Sequence, residues 1–198
     1  PNKKSRICTM NNMMKKAIVF ILCVLISAPS ISQGWSVLKA TPAVAYEPPT
    51  PPVSEPDFKV SPTDPDADFT TVAQVNGYLS FAPGDTIAFE RGASWAESLD
   101  PPLNGTAGNH VVFTTYGSGP KPKMRSCTLD FTEYITVEYL HFDQEYIGGT
   151  AIGMYDADNL IVDSCHAERS SAANVIFIGP SNNITISRTE INGSTIAG

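Results

Sequence analysis

A short pattern of alternating apolar and polar residues recurs along the chain from residue 87 onward. Its copies begin at Ile87, Val111, Ile135, Leu160 and Ile184, so the steps between them are 24, 24, 25 and 24 residues. A fixed period in the twenties, with a strand pattern in each copy, is typical of a solenoid whose repeats stack on one another. The pattern predicts an all-β fold, a parallel β-helix with coils of about 24 residues.

The alternation also assigns each side chain to the interior or the exterior of its coil. A further strand series, in which Ile152 precedes Ile176 by 24 residues, predicts three short strands in each coil. In the last three copies, the residues predicted to point inward are Ile135, Val137, Leu140, Phe142, Leu160, Val162, Cys165, Ala167, Ile184, Ile186, Thr189 and Ile191.

Outward residues one repeat apart fall into columns when coils superpose. The columns that contain titratable side chains are Glu138, Asp163 and Ser187; His141, His166 and Glu190; and Asp143, Glu168 and Asn192. Two carboxylates one coil apart repel each other unless a cation lies between them or one is protonated. For every column, the alternative is a solvated surface without a function.

The first two columns supply the candidate catalytic residues, which are Glu138, Asp163, His141 and His166. Paired carboxylates serve as acid and base in glycoside hydrolysis, and imidazoles serve as general acid or base near neutral pH. The alternative for the two histidines is a surface stack. Two imidazoles alone are too few ligands for a structural zinc site.

The candidate metal ligands are the carboxylates of Asp143, Glu168, Asp156 and Asp158, and Ca²⁺ is the cofactor that such oxygens would take. The segment from Asp156 to Asp158 lacks the glycine and glutamate of an EF-hand loop, so a simple polar turn is the alternative there.

Arg169 and Arg188 are the candidate substrate-binding residues. The guanidinium group presents a planar fork of donors that matches the carboxylate of an acidic sugar. Neither arginine lies in a catalytic motif, so no catalytic role is assigned to either.

The sequence divides into three segments. Residues 1–32 contain upstream residues and a predicted secretory signal peptide, in which Lys15 and Lys16 precede an apolar run from Ala17 to Ile26 that is too short to span a bilayer. Residues 33–66 are rich in proline and are predicted to form an extended linker without strands. Residues 67–198 are predicted to form a short capping helix, from Asp68 to Gly77, followed by the first coils.

Composition excludes some partners. Without residues 1–32, the chain has 8 Lys and Arg against 20 Asp and Glu, a net charge of −12, which argues against nucleic acid. Cys127 and Cys165 then remain, at different offsets of the repeat, and are predicted to be buried free thiols.

Several motifs resemble the N-terminal end of secreted right-handed parallel β-helix proteins of the pectate-lyase-like group. They are the run from Pro83 to Gly92, Trp95, Leu99, Gly105-Thr106 and the run from Tyr116 to Pro122. The resemblance extends over roughly residues 68–198 and implies the right-handed fold. It implies no single activity, since members include polysaccharide lyases, glycoside hydrolases, uronan epimerases and non-catalytic surface proteins.

We therefore expect an exported, monomeric protein, secreted, periplasmic or on the cell surface, that acts on a polysaccharide as a lyase, hydrolase or epimerase. The alternative is a non-catalytic carbohydrate-binding or surface adhesion module. Because Gly198 precedes the next expected strand, near residue 200, we also expect an N-terminal fragment whose active site lies in the missing C-terminal part.

Overall fold

The computed structural model describes residues 55–171 and 175–194, and within them the chain winds into a right-handed parallel β-helix. The predicted leader, residues 1–32, and residues 33–54 of the predicted linker lie outside these ranges. In the part that is described, no helix has the length and apolar character needed to cross a membrane.

The described residues contain thirteen strands and one short helix, joined by turns and loops. The helix is α1 (Val72–Asn76), and the strands are β1 (Phe58–Val60), β2 (Thr86–Glu90), β3 (Val111–Tyr116), β4 (Lys123–Met124), β5 (Cys127–Thr128), β6 (Ile135–Glu138), β7 (His141–Asp143), β8 (Ile152–Met154), β9 (Asp158–Asp163), β10 (His166–Ser170), β11 (Ile176–Ile178), β12 (Asn182–Ser187) and β13 (Glu190–Ser194).

These strands form three parallel sheets, one for each side of the coil. The six-stranded sheet has the order β1-β2-β3-β6-β9-β12, the four-stranded sheet β4-β7-β10-β13, and the three-stranded sheet β5-β8-β11. Parallel neighbours need a crossover connection, and here the remainder of each coil supplies it. The predicted arrangement of three short strands in a coil is confirmed.

The predicted register is confirmed from the second copy onward, where Val111 pairs with Ile135, and is wrong at the first step. Leu160 pairs with Ile184 and Ile152 pairs with Ile176, as the 24-residue spacing predicts. Ile87, however, pairs with Phe113 rather than with Val111. A shift of two residues keeps every side chain on its own face, so the alternation alone does not distinguish the two registers.

The interior is a continuous apolar core that extends from coil to coil. The inward residues of the copies that begin at Ile135 and Leu160 are all fully buried, as the alternation predicts. In the last described coil, Ile184 and Ile186 are only partly buried, and Ile191 is 52% exposed. Cys127 and Cys165 are buried free thiols, as predicted, and burial raises the pKa of Cys165 to about 12.

The corners of the coil are built from residues with positive φ. One column contains Tyr134, Asn159 and Asn183, and another contains Tyr139, Ser164 and Arg188. Asparagine tolerates this left-handed conformation better than most residues. The Asn183 amide donates to Asn159 Oδ1 at 3.1 Å, so the two amides form a hydrogen-bonded stack at this corner.

The N-terminal cap contains the predicted helix in a shorter form, because α1 begins at Val72 rather than near Asp68. Thr71 is its N-cap and forms a reciprocal capping box with Gln74. Val72 and Val75 are fully buried against the first coil, which covers the end of the apolar core. Asp68 instead accepts a hydrogen bond from the Lys59 N–H at 2.8 Å.

The prediction that residues 33–66 form a strand-free linker is wrong in its described part. β1 pairs with β2 in parallel, with Phe58 opposite Ile87, and Val60 is fully buried. Proline is excluded only where it interrupts the ladder, and Pro56 and Pro62 flank this three-residue strand without entering it. The β-helix therefore begins by residue 58 rather than at residue 67.

Neighbouring residues on opposite faces of β9 test the inward assignment. Leu160→Ala removes a fully buried side chain, and we expect a loss of about 2–5 kcal/mol in the free energy of unfolding. Ile161→Ala, on the outward face of the same strand, is the matched control and should cost less than about 1 kcal/mol. The measurement is chemical denaturation, and equal losses for the two variants would contradict the assignment.

Candidate functional site

The outward side chains of the four-stranded sheet form a strip that we call the polar face. It consists of Lys123, His141, Asp143, His166, Glu168, Glu190 and Asn192. His166 pairs with both His141 and Glu190, and Glu168 pairs with both Asp143 and Asn192. Both predicted columns on this sheet are therefore confirmed in register.

Two histidines and one glutamate meet at the centre of the polar face. The rings of His141 and His166 are stacked, with centroids 4.4 Å apart and planes 8° from parallel. Glu168 places Oε1 at 2.9 Å from His141 Nε2 and Oε2 at 3.5 Å from His166 Nε2. We call these three residues the histidine cluster.

The surroundings of the cluster are only partly open to solvent. The side chains of His141, His166 and Glu168 are 20%, 22% and 22% exposed. Burial lowers the pKa of His141, and the neighbouring His166 lowers it further, while the hydrogen bond with Glu168 acts in the opposite direction. The net effect favours neutral imidazole at His141.

Asp143 differs from the solvated side chain that the alternation predicts, because only 3% of the residue is exposed. Both of its carboxylate oxygens accept from the Arg169 guanidinium, and Lys123 Nζ lies 3.4 Å from Oδ2. Burial alone would raise the pKa of Asp143, but the hydrogen bond from Arg169, the Glu145 N–H and the two positive charges lower it overall.

Asp163 is covered in the same way, with 5% of the residue exposed. Arg188 donates to both carboxylate oxygens, with Nε 2.9 Å from Oδ1, and the Ser187 hydroxyl donates to Oδ1 at 2.7 Å. The hydrogen bond from Arg188 is the main reason that the pKa of Asp163 lies below its ordinary value.

Glu138 lies opposite Asp163 on the neighbouring strand, as predicted. It accepts a hydrogen bond of 2.9 Å from the Thr114 hydroxyl. Burial raises the pKa of Glu138, and the Asp163 charge raises it further, while the Thr114 hydrogen bond lowers it. The pKa values of the two carboxyl groups are therefore shifted in opposite directions, upward for Glu138 and downward for Asp163. The oxygens of Asp163 already accept hydrogen bonds from Arg188 and Ser187.

The candidate substrate-binding arginines are thus each engaged by an aspartate of the preceding coil. Arg169 and Arg188 both have positive φ at a corner, which turns their side chains back over Asp143 and Asp163. The equivalent pairs lie 26 and 25 residues apart. The sequence spacing alone did not indicate this pairing.

Asp156 and Asp158 do not join a metal site of three ligands within residues 55–171 and 175–194. Asp158 Oδ1 accepts from the backbone N–H and the side-chain amide of Asn182, at 2.9 and 2.8 Å. Asp156 is exposed in the turn before β9. In the same ranges, the group whose ligand atoms lie within 4.8 Å of one another is the histidine cluster.

Two neighbours of the polar face were not singled out by the sequence. Lys121 is half-buried between Pro120 and Pro122, and burial lowers its pKa. A small pocket of about 110 Å³ at the β4 end of the face is lined by residues from three coils, including Trp95, Lys123 and Gln144. The two prolines that flank Lys121 are the sequence signal that could have indicated it. The pocket has no sequence signal, because it forms only when residues of three coils lie next to one another.

The ion pair between buried Asp163 and the half-exposed Arg188 predicts a specific dependence of stability on pH. Because the pKa of Asp163 is lower in the folded state, the ion pair stabilises the protein at pH values above the ordinary aspartate pKa of about 3.9. This stabilisation is lost as the pH falls through the lower pKa of the folded state. We expect Asp163→Asn to cost about 1–3 kcal/mol near neutral pH, because the Arg188 and Ser187 donors lose a charged acceptor.

Urea denaturation of wild type and variant between pH 3 and pH 7 measures this difference, which should shrink below about pH 4. The exposed Asp156→Asn substitution is the matched control and should show no such trend. A cost for Asp163→Asn that stays constant over the whole range would contradict the electrostatic origin.

Comparisons with known proteins support the fold. No family model matches the chain, and no curated protein matches it in sequence. A similar solved structure is the GH136 lacto-N-biosidase from Eubacterium ramulus, crystallised as its selenomethionine derivative, with a TM-score of 0.50 and 16% sequence identity. The match covers 68% of this chain and 34% of that enzyme, so the chain spans about a third of its length. At this identity, the likeness shows a shared β-helix fold.

Proposed function

We propose that the chain is part of an exported, carbohydrate-active β-helix protein that binds a polysaccharide along the polar face. The in-register ladder of hydrogen-bonding side chains on β7, β10 and β13 carries this proposal. Coils are stacked about 4.8 Å apart, so the face repeats on the scale of a single sugar unit. A linear polymer that crosses the strands would meet polar, hydrogen-bonding side chains at each coil, although their types differ from coil to coil.

The charges of the face favour a neutral glycan over an acidic one. Arg169 and Lys123 are both within ion-pair distance of Asp143 and of Glu145, so two carboxylates already balance their positive charges. Glu168 and Glu190 add negative charge, and the chain as a whole is acidic. Imidazole, amide and carboxylate groups together offer the donors and acceptors that sugar hydroxyl groups require.

Fold similarity to a glycoside hydrolase supports hydrolysis as the reaction class, by analogy alone. Glu138 has the raised pKa that a general acid needs. Hydrolysis also requires a second, available carboxylate about 5–9.5 Å away, and the oxygens of Asp163 are taken by Arg188 and Ser187. Asp163 is therefore poorly suited to be that second carboxylate.

A non-catalytic binding or adhesion module is the second candidate. The observation that favours it is that two carboxylates and two arginines form closed pairs, Asp143 with Arg169 and Asp163 with Arg188. Such pairs stabilise the coil and leave fewer free groups for catalysis. Release of reducing ends or unsaturated products from a bound glycan separates the enzyme from the module, since a module binds without releasing either.

Export is proposed on the leader sequence within residues 1–32, where a basic pair precedes a short apolar run. A secreted or surface location is where a polysaccharide ligand is encountered.

Affinity electrophoresis of the purified chain in gels with neutral or acidic glycans tests the polar face. We expect retardation by a neutral glycan, and a loss of affinity of roughly 5-fold to 150-fold when Glu190 and Asn192 are both changed to alanine, because each lost hydrogen bond costs about 0.5–1.5 kcal/mol. Both residues are exposed on β13, so the fold should tolerate the change.

Thr185→Ala is the matched control. Thr185 is exposed in the same coil but belongs to the six-stranded sheet, so its loss should leave binding unchanged. The proposal is overturned if no glycan retards the wild type, or if the control weakens binding as much as the double variant.

A further inference from the structure

The histidine cluster brings three metal-binding side chains together from two adjacent coils. His141 lies on β7, and His166 and Glu168 lie on the same face of β10, two residues apart. Parallel pairing of His141 with His166 fixes the backbone of the cluster. One imidazole nitrogen from each ring and a carboxylate oxygen all lie within 4.8 Å of one another.

We infer that the histidine cluster binds a first-row divalent metal ion, for which Zn²⁺ fits the ligands best. Two imidazoles and one carboxylate form a three-ligand set that zinc accepts in proteins, with a fourth position left for water or a ligand. Ca²⁺ prefers six to eight oxygen ligands, and this cluster offers two nitrogens. The inference does not depend on the proposed glycan binding.

The third ligand is what the sequence did not reveal. Spacing alone placed Glu168 in a column with Asp143, as a pair of carboxylates for calcium. In the structure, Asp143 is bound by Arg169, whereas Glu168 turns to the histidines and places one oxygen near each Nε2 atom. Of the two carboxylates in this column, Asp143 is therefore engaged in an ion pair with Arg169, and Glu168 is the one that can serve as a metal ligand with the histidines.

Metal binding requires a small movement of the two rings. Zinc–nitrogen bonds of about 2.0–2.1 Å at a tetrahedral angle place two nitrogens about 3.4 Å apart. The ring centroids are 4.4 Å apart and nearly parallel, so the Nε2 edges must tilt toward each other by about one ångström. Each side chain is about one-fifth exposed, so neither ring is fully enclosed by its neighbours.

The proton balance of the site is straightforward. A carboxylate only accepts, so the 2.9 Å contact with Glu168 places a proton on His141 Nε2. Because neutral His141 carries a single ring proton, metal binding at Nε2 moves that proton to Nδ1 by exchange with solvent, and no proton is released overall. His166 Nε2 lies 3.1 Å from the Asn192 amide, which can donate to it, so its lone pair becomes a ligand when this amide turns away.

Titration of the purified full chain with Co²⁺ reports ligation directly, because the visible absorption of cobalt changes when nitrogen ligands bind in a four-coordinate site. We expect one Co²⁺ per chain, displaced by one equivalent of Zn²⁺, and no displacement by millimolar Ca²⁺. Zn²⁺ should also raise the melting temperature, because a ligand that binds the folded state stabilises it.

Two variants and one matched control complete the test. His166→Gln and Glu168→Gln should each weaken Zn²⁺ binding by at least about tenfold. His110→Gln should bind as wild type does, because His110 is the third histidine of the chain and contacts Thr136 instead of the cluster. Melting curves without metal establish that each variant is folded.

The inference is overturned if the wild type shows no one-to-one cobalt spectrum, or if both cluster variants retain wild-type affinity. Neither result bears on glycan binding, which is measured without added metal and with different variants.

Discussion

Parallel pairing between successive coils is the constraint on which the remaining features depend. Each strand hydrogen-bonds to the strands one coil before and after it, so a side chain keeps its face and its column along the whole solenoid. Leu160 lies inward because its neighbours in the ladder do, and His166 lies over His141 for the same reason. Core and polar face are two consequences of one register.

The corners divide the outward carboxylates into two groups. Asp143 ends β7 and Asp163 ends β9, and an arginine with positive φ at a corner of the next coil folds back over each. A buried carboxylate is stable in the charged form only with such a partner, and removal of the arginine would leave a buried negative charge without compensation. Strand ends on this β-helix are therefore places where ion pairs hold one coil to the next.

Much of the fold followed from alternation and period, because both are local properties of the chain. The inward positions from Ile135 to Ala167 and the columns of the polar face were predictable in this way. The pairing of Ile87 with Phe113 was not, since a two-residue shift leaves the alternation unchanged. Strand β1 was missed because proline content describes a segment, whereas a ladder depends on which positions the prolines occupy.

The site was less predictable than the fold, because column membership does not determine which way a side chain turns. Asp143 and Glu168 occupy one column, yet the first is closed by Arg169 and the second reaches two imidazoles. Their positions explain the difference. Asp143 is the last residue of β7, within reach of a corner arginine, while Glu168 lies in the interior of β10 beside the rings. Arg169 binds both oxygens of Asp143 but approaches Glu168 only to 4.0 Å, which leaves the Glu168 carboxylate directed at the two imidazoles.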